Sequence, residues 1–348
     1  MSDIAKRFAS NPLIRPEDVK PSMDGYEVAC VLNPGAFRYK GRTGLLLRVA
    51  ERPPETEDEL FVPVRDNTAP DGVALLRFNK DEIDLSDPRI FTHRGQTYLT
   101  TLSHLRLAWS DDGEHFAVEP TPLIRGEGAH ETYGVEDCRV SEVDGRYLLA
   151  YCAVSPGGVG VAIRETTDWR TFSEPELIFP TNNKDCALFE EKLGGRYVAF
   201  HRPSNPHFNA NHIWLAFSPD LRHWGGHHCI ASMRSGMWDD GRIGAGAAPI
   251  RTPEGWLAIY HGANRQNRYC LGALLLGLDD PTKVRARSGE PIMEPVADYE
   301  REGFFGEVVF TNGHVVDGDT VTIYYGASDT VVCGAAMSIS EILASLNL

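Results

Sequence analysis

Val140-Ser-Glu-Val-Asp-Gly-Arg-Tyr-Leu-Leu-Ala-Tyr151 reads as a short strand, an Asp-Gly turn, and a second strand rich in aromatic and aliphatic residues. Asp-Gly between apolar runs is a strong hairpin signal, because the turn needs residues that tolerate a positive φ. The same unit recurs as Phe37–Arg48, Ile90–Thr101, Leu188–Phe200, Ile250–Tyr260 and Val315–Tyr325. Its turn glycines, Gly41, Gly95, Gly145, Gly195, Gly255 and Gly318, are mostly 50 to 60 residues apart. A period that long, with about four strands per unit, predicts the blades of a β-propeller. Six hairpins fit six blades, or five blades and one irregular unit. A third strand often follows and ends in a Ser-x-Asp turn with an aromatic beyond it, as in Leu107–Gly113 and Leu215–Trp224. The reading is all-β and one domain: a lead-in over residues 1–30, the propeller over 31–348, and one short helix over Ser338–Leu346.

The chain has 348 residues, 42% of them hydrophobic, and a net charge of −15. A large core is available without staples. The acidic balance argues against nucleic acid or an anionic membrane as partner. Seven cysteines, an odd number with no CxxC, suit free thiols in a reducing cytoplasm. No stretch approaches about 18 uninterrupted apolar residues, and the first residues carry no apolar leader, so a soluble intracellular protein is expected.

Just before the opening hairpin stands Gly134-Val-Glu-Asp-Cys-Arg139, with adjacent carboxylates at Glu136 and Asp137. Poorly solvating neighbours and a second carboxylate would raise the pKa of Asp137, which suits a general acid. Strand alternation sends Glu136 to the opposite face. Basic residues stand at the ends of separate units: Lys184 before Cys186–Phe189, Arg202 in His201-Arg202-Pro203, Arg242 before a run of small residues, and His261 after Tyr260. In a propeller such strand ends meet at the central funnel, and a phosphate dianion needs several charge-assisted donors there. Asn33, Arg48 and Asp329 also stand at strand ends, where they could bind sugar hydroxyls. Tyr133, Phe304, Phe305, Tyr324 and Tyr325 are candidate stacking residues. Gly157–Gly160 lacks the context of a dinucleotide loop, and His223, His227 and His228 lack metal-site spacing, so neither an organic cofactor nor a metal is expected.

Eight ordered motifs together resemble the β-mannoside phosphorylases of glycoside hydrolase family 130. They are Asn33-Pro-Gly-Ala36, Leu47–Pro53, Gly134–Arg139, Lys184–Phe189, His201–Pro203, Arg242–Pro249, Tyr260–Gly262 and Tyr324–Thr330. The resemblance implies five blades and an inverting phosphorolysis with inorganic phosphate as co-substrate. It implies that Asp137 is the lone general acid, that Lys184, Arg202, Arg242 and His261 bind phosphate, and that Asn33, Arg48 and Asp329 contact the mannose. Glu136, Arg139 and Asp185, inside the same motifs, are counted as candidate substrate contacts. It further implies a mannose-containing oligosaccharide as partner, and homo-oligomeric assembly as in other members. A hydrolase needs a second carboxylate to activate water, whereas phosphate is already a nucleophilic anion. The overall look of Asn11–Ser22 and Ala50–Pro53 favours a β-1,2 linkage over β-1,4. A β-mannosidase and a non-catalytic sugar-binding propeller are the alternatives.

Overall fold

The computed structural model describes residues 3–69, 71–205, 208 and 210–346. Five antiparallel sheets of at least four strands make a five-bladed β-propeller. Blade one comprises Glu27–Tyr39, Arg42–Arg52, Leu102–Ser110 and Ala117–Val118. Blade two comprises Val135–Val143, Arg146–Ser155, Gly158–Thr166 and Glu176–Phe179. Blade three is built on Asn183–Leu188, Tyr197–Asn205, Ile213–Ser218 and Gly225–Ala231. Blade four is built on Arg242–Ala245, Gly255–Ala263, Tyr269–Leu276 and Val284–Arg287. Blade five joins Val309–Asp317, Thr320–Ala327 and Val331–Ser338 to Lys6–Arg7, which pairs with Ala335 and Ala336 and closes the ring.

The sixth predicted hairpin is real but is not a blade. Ile90–His93 pairs with Gln96–Leu99 as a two-stranded sheet. A second such sheet, Glu59–Arg65 with Val73–Asn79, precedes it. Both lie in an insertion between the second and third strands of blade one. The strand that follows, Leu102–Ser110, pairs with Arg42–Arg52 and not with the hairpin, so the local pattern repeats without founding a sheet.

Apolar side chains pack between neighbouring blades. Between blades one and two, Phe37 stacks on Trp169 with ring centroids 3.6 Å apart, and Tyr147 and Trp109 close around them. Between blades four and five lie Leu257, Ile259, Leu271, Val321, Ile323 and Tyr325, all buried. The last helix, Ile339–Ser345, adds Ile339 and Ile342 to that cluster. Its first turn is capped by Ser338, whose hydroxyl accepts from the Glu341 amide at 3.1 Å, satisfying a donor the helix leaves open. No helix among the described residues is long and apolar enough to cross a membrane.

The first strand of each blade faces the axis, and four of these strands carry a one-residue bulge. The register slips between Leu32 and Gly35, Glu136 and Arg139, Lys184 and Ala187, and Thr311 and Gly313. In three of them an Asn or Asp takes the left-handed conformation: Asn33 at φ 47°, Asp137 at 52° and Asp185 at 52°. Short polar side chains tolerate that region better than other non-glycine residues do. The bulge turns the polar side chain out of the sheet's alternation and towards the axis.

Candidate active site

One pocket gathers side chains from all five blades at the axis. Blade one lends Asn33 and Arg48, blade two Glu136 and Asp137, blade three Lys184 and Arg202, blade four Arg242, His261 and Tyr269, and blade five Phe310 and Asp329. The insertion of blade one adds Arg89, Ile90, Leu99 and Thr101, and Phe304 completes the wall.

Asp137 is 3% exposed. Its Oδ1 accepts from Asn33 Nδ2 at 3.0 Å and from Arg48 Nη1 at 3.2 Å. Arg48 Nη2 donates to Glu136 Oε1 at 2.7 Å. Glu136 therefore shares the pocket, against the expectation from strand alternation. The bulge puts Glu136 and Asp137 on one side, and one guanidinium bridges them.

The acidity of Asp137 also departs from expectation. Burial alone would raise its pKa, but Arg48, Lys184 and Arg139, with the Asn33 hydrogen bond, outweigh burial and hold it below the usual carboxylate value. Without an anion in the cradle, Asp137 is a carboxylate at neutral pH. Asp329 goes the other way: burial dominates and raises its pKa, despite Arg89 and Arg48.

The basic side is assembled from two blades. Lys184 and Arg202 are direct cross-strand partners. Like charges so placed destabilise a sheet, so the pairing needs compensation. It comes from Asp185, whose side chain is fully buried beneath the pocket. Asp185 Oδ1 accepts from Arg139 Nη2 at 3.1 Å, and Oδ2 stands 3.1 Å from Arg202 Nε and 3.2 Å from His261 Nε2. Burial opposes its ionisation, but the charges of Arg202 and Arg139, with the His261 ring beside them, prevail and keep it well below the usual carboxylate range. Gly244 makes this contact feasible: a Cβ there would fall 2.1 Å from Asp185 Oδ2 and 2.5 Å from His261 Nε2. Arg242 is held by neutral groups, Tyr269 Oη and Asn267 Oδ1, each at 3.0 Å, so its charge stays available.

Two sequence candidates do not reach the pocket. Asp185 is the counter-ion just described. Arg139 is 1% exposed and binds the Asp137 carbonyl at 2.9 Å, the Ala245 carbonyl at 3.0 Å and Asp185, tying blade two to blades three and four. Among the aromatic candidates, Phe304 lines the pocket. Phe305 lies under Arg89, whose guanidinium carbon is 3.6 Å from the ring centre. Tyr324 and Tyr325 are buried between blades, with hydroxyls on the Gly113 carbonyl and Glu300, and Tyr133 packs with Cys152 and Val154. Sequence reasoning missed Arg89. It is clamped by Asp87 at 2.9 and 3.0 Å and stands 3.6 Å from Asp329 Oδ2. Nothing in the Asp87-Pro-Arg89 stretch signals that the insertion folds over the pocket. No group of three or more His, Cys, Asp or Glu among the described residues is arranged to hold a metal.

Comparison with known proteins identifies the family and the fold. The profile of glycoside hydrolase family 130, described as beta-1,4-mannooligosaccharide phosphorylase, matches residues 100–348. A beta-1,2-mannobiose phosphorylase of Listeria innocua is 44% identical over 98% of each chain. The chain belongs to glycoside hydrolase family 130. A 1,2-beta-oligomannan phosphorylase of a Thermoanaerobacter species is 37% identical over 69% of this chain and 80% of its own length. A Ruminococcus albus beta-1,4-mannooligosaccharide phosphorylase is 32% identical over 69% and 75%. The solved structure of the Listeria enzyme with beta-1,2-mannobiose superposes with a TM-score of 0.95 over 99% of both chains. The five-bladed architecture is thus that of the family.

Proposed function

We propose that this protein is a β-mannoside phosphorylase that cleaves a non-reducing-end β-1,2-linked mannoside with inorganic phosphate, yielding α-mannose 1-phosphate and the shortened acceptor. One observation carries the reading: four basic side chains from blades three and four line the same pocket as a single buried aspartate from blade two. Phosphate, held among Lys184, Arg202, Arg242 and His261, attacks the anomeric carbon in line while Asp137 supplies the proton that the leaving oxygen needs. Asn33 and Arg48 orient Asp137, and Asp329 with Arg89 supports recognition of the sugar. The anion itself makes Asp137 an acid. Its negative charge offsets Lys184 and Arg139, two of the cations that depress the carboxyl, and so raises its affinity for a proton. The linkage rests on the 44% identical beta-1,2-mannobiose phosphorylase, which aligns over 98% of this chain. All seven cysteines are free, which supports a reducing cytoplasmic setting.

The test is incubation with β-1,2- and β-1,4-mannobiose, with and without phosphate, followed by assay of mannose 1-phosphate and free mannose. The reading requires mannose 1-phosphate from the β-1,2 disaccharide only when phosphate is present. Free mannose as the sole product, unaffected by phosphate, would replace it with a β-mannosidase.

A further inference from the structure

Asp185 takes no part in the pocket wall, yet the cations converge on it. Its Oδ2 lies 3.2 Å from His261 Nε2, a charge contact too bent for either atom to count the other as a hydrogen-bond partner. An ionised carboxylate that close obliges the neutral ring to carry its proton on Nε2. The ring is faced by Asp185 and Arg202 of blade three, Arg139 of blade two, Phe310 of blade five and Tyr269 of its own blade. Burial, then Arg202 and Arg139, outweigh Asp185 and push its pKa down to about 4, so the ring is uncharged at neutral pH. With the proton on Nε2, Nδ1 is a bare acceptor. That atom is buried and has no protein partner among the described residues, on a ring that lines the pocket.

We propose that Asp185 is a positioning residue that fixes His261 as an Nδ1 acceptor, so that the cradle selects an oxyanion carrying a hydroxyl, hydrogenphosphate, over sulfate, which has the same charge and shape but none. The inference rests on the phosphorylase reading and names the co-substrate species that site takes. The reaction balances with that species. Hydrogenphosphate and mannoside give mannosyl phosphate dianion and an alcohol. The bond from the anomeric carbon to the leaving oxygen breaks, and the bond to a phosphate oxygen forms. Asp137 gives its proton to the leaving oxygen, and the proton that phosphate sheds restores it. Lys184, Arg202 and Arg242 supply charge and read only the anion's size and valence. His261 reads whether a proton is present.

Phosphorolysis of β-1,2-mannobiose at about pH 8, where phosphate and arsenate are largely dianions bearing one hydroxyl, provides the test, with arsenate and sulfate as competitors of phosphate. Arsenate should compete about as well as phosphate, and sulfate at least roughly tenfold more weakly, because it leaves a buried acceptor unpaired. In Asp185→Asn the amide can donate to Nε2, the ring proton can move to Nδ1, and the sulfate-to-arsenate ratio should fall towards one. His261→Gln, whose amide can turn either way, should lower it as well. A purely structural role for Asp185 would weaken both anions alike and leave the ratio unchanged, which overturns the proposal. Sulfate competing as well as arsenate in the unaltered enzyme overturns it too, even if neither variant folds. If no mannobiose yields mannose 1-phosphate, the phosphorylase reading fails first, a result distinct from lost anion selectivity.

Discussion

Asp137→Asn isolates the acid from its scaffold. Both donors to Asp137, Asn33 and Arg48, meet the same oxygen, Oδ1, at 3.0 and 3.2 Å. A carboxamide keeps that oxygen as acceptor and turns its amide to the position of Oδ2. Arg48 retains its 2.7 Å contact with Glu136, so the guanidinium is not left unpaired. The variant should therefore fold and bind mannoside. What it loses is a transferable proton, worth on the order of 10²–10⁴ in rate. At 1.36 kcal/mol per decade this is about 3–5 kcal/mol of barrier. The loss should fall on kcat. The phosphate KM should stay or drop, since a negative charge near Lys184 has been removed. The assay is mannose 1-phosphate formation from β-1,2-mannobiose, repeated with a nitrophenyl β-mannoside whose leaving group needs little protonation. The deficit should shrink with the nitrophenyl substrate. An equal deficit for both substrates, or a kcat within threefold of the unaltered enzyme, would refute the assignment of Asp137 as the acid.

Arg242→Ala should raise the phosphate KM by roughly ten- to a hundredfold, as expected for a lost charged hydrogen bond, with mannobiose binding retained; an unchanged phosphate KM in initial-rate kinetics would remove Arg242 from the cradle. Stability should decline with acid below about pH 6.5, because His261 and His201 fold as neutral rings whose pKa values burial pushes down to about 4 and about 3. A depressed histidine contributes fully above its unfolded value of about 6.5 and loses that contribution as pH falls towards the folded value, about 3 kcal/mol for His261; urea midpoints that stay flat from pH 7 to 5 would contradict this. Phe37→Ala, which empties the space stacked on Trp169, should cost about 3–5 kcal/mol in denaturant unfolding, while a loss below about 1 kcal/mol would mean that the blade one–two seam repacks.

The hairpins were legible because each is local: a Gly turn and a period of two over a dozen residues carry the information. The same locality produced the extra blade. Ile90–Thr101 has every mark of the repeat, and only its missing pairing with Leu102–Ser110 distinguishes it. The basic residues were legible as a set because each stands near a strand end, but they come from two blades only: Lys184 and Arg242 open first strands, while Arg202 and His261 lie late in the second strands paired with them. The placement of Glu136 was not, since alternation assumes a regular strand and Asp137 at φ 52° breaks it. Nor was the depressed acidity of Asp137, because Arg48 and Lys184, which set it, lie far away in sequence. The ties of Arg139 to Asp185, Ala245 and Gly246 exist only after blades two, three and four have met.

The outermost strand of blade five is Lys6–Arg7, held to Ala335 and Ala336 and anchored by Arg7 on Glu300 at 2.7 Å. The circle is thus fastened by a segment separated from its partner by more than 300 residues. During synthesis that segment emerges early and waits, unpaired, until the last blade has appeared. Closing so long a loop comes late and slowly, and until then the edge of Val331–Ser338 is open to a stray strand. A circular permutant that splices Lys6–Arg7 directly after the final blade, with new ends cut at the exposed Ser235–Gly236 turn between blades three and four, would make this contact local without parting paired strands. It should renature faster while keeping the same finished ring.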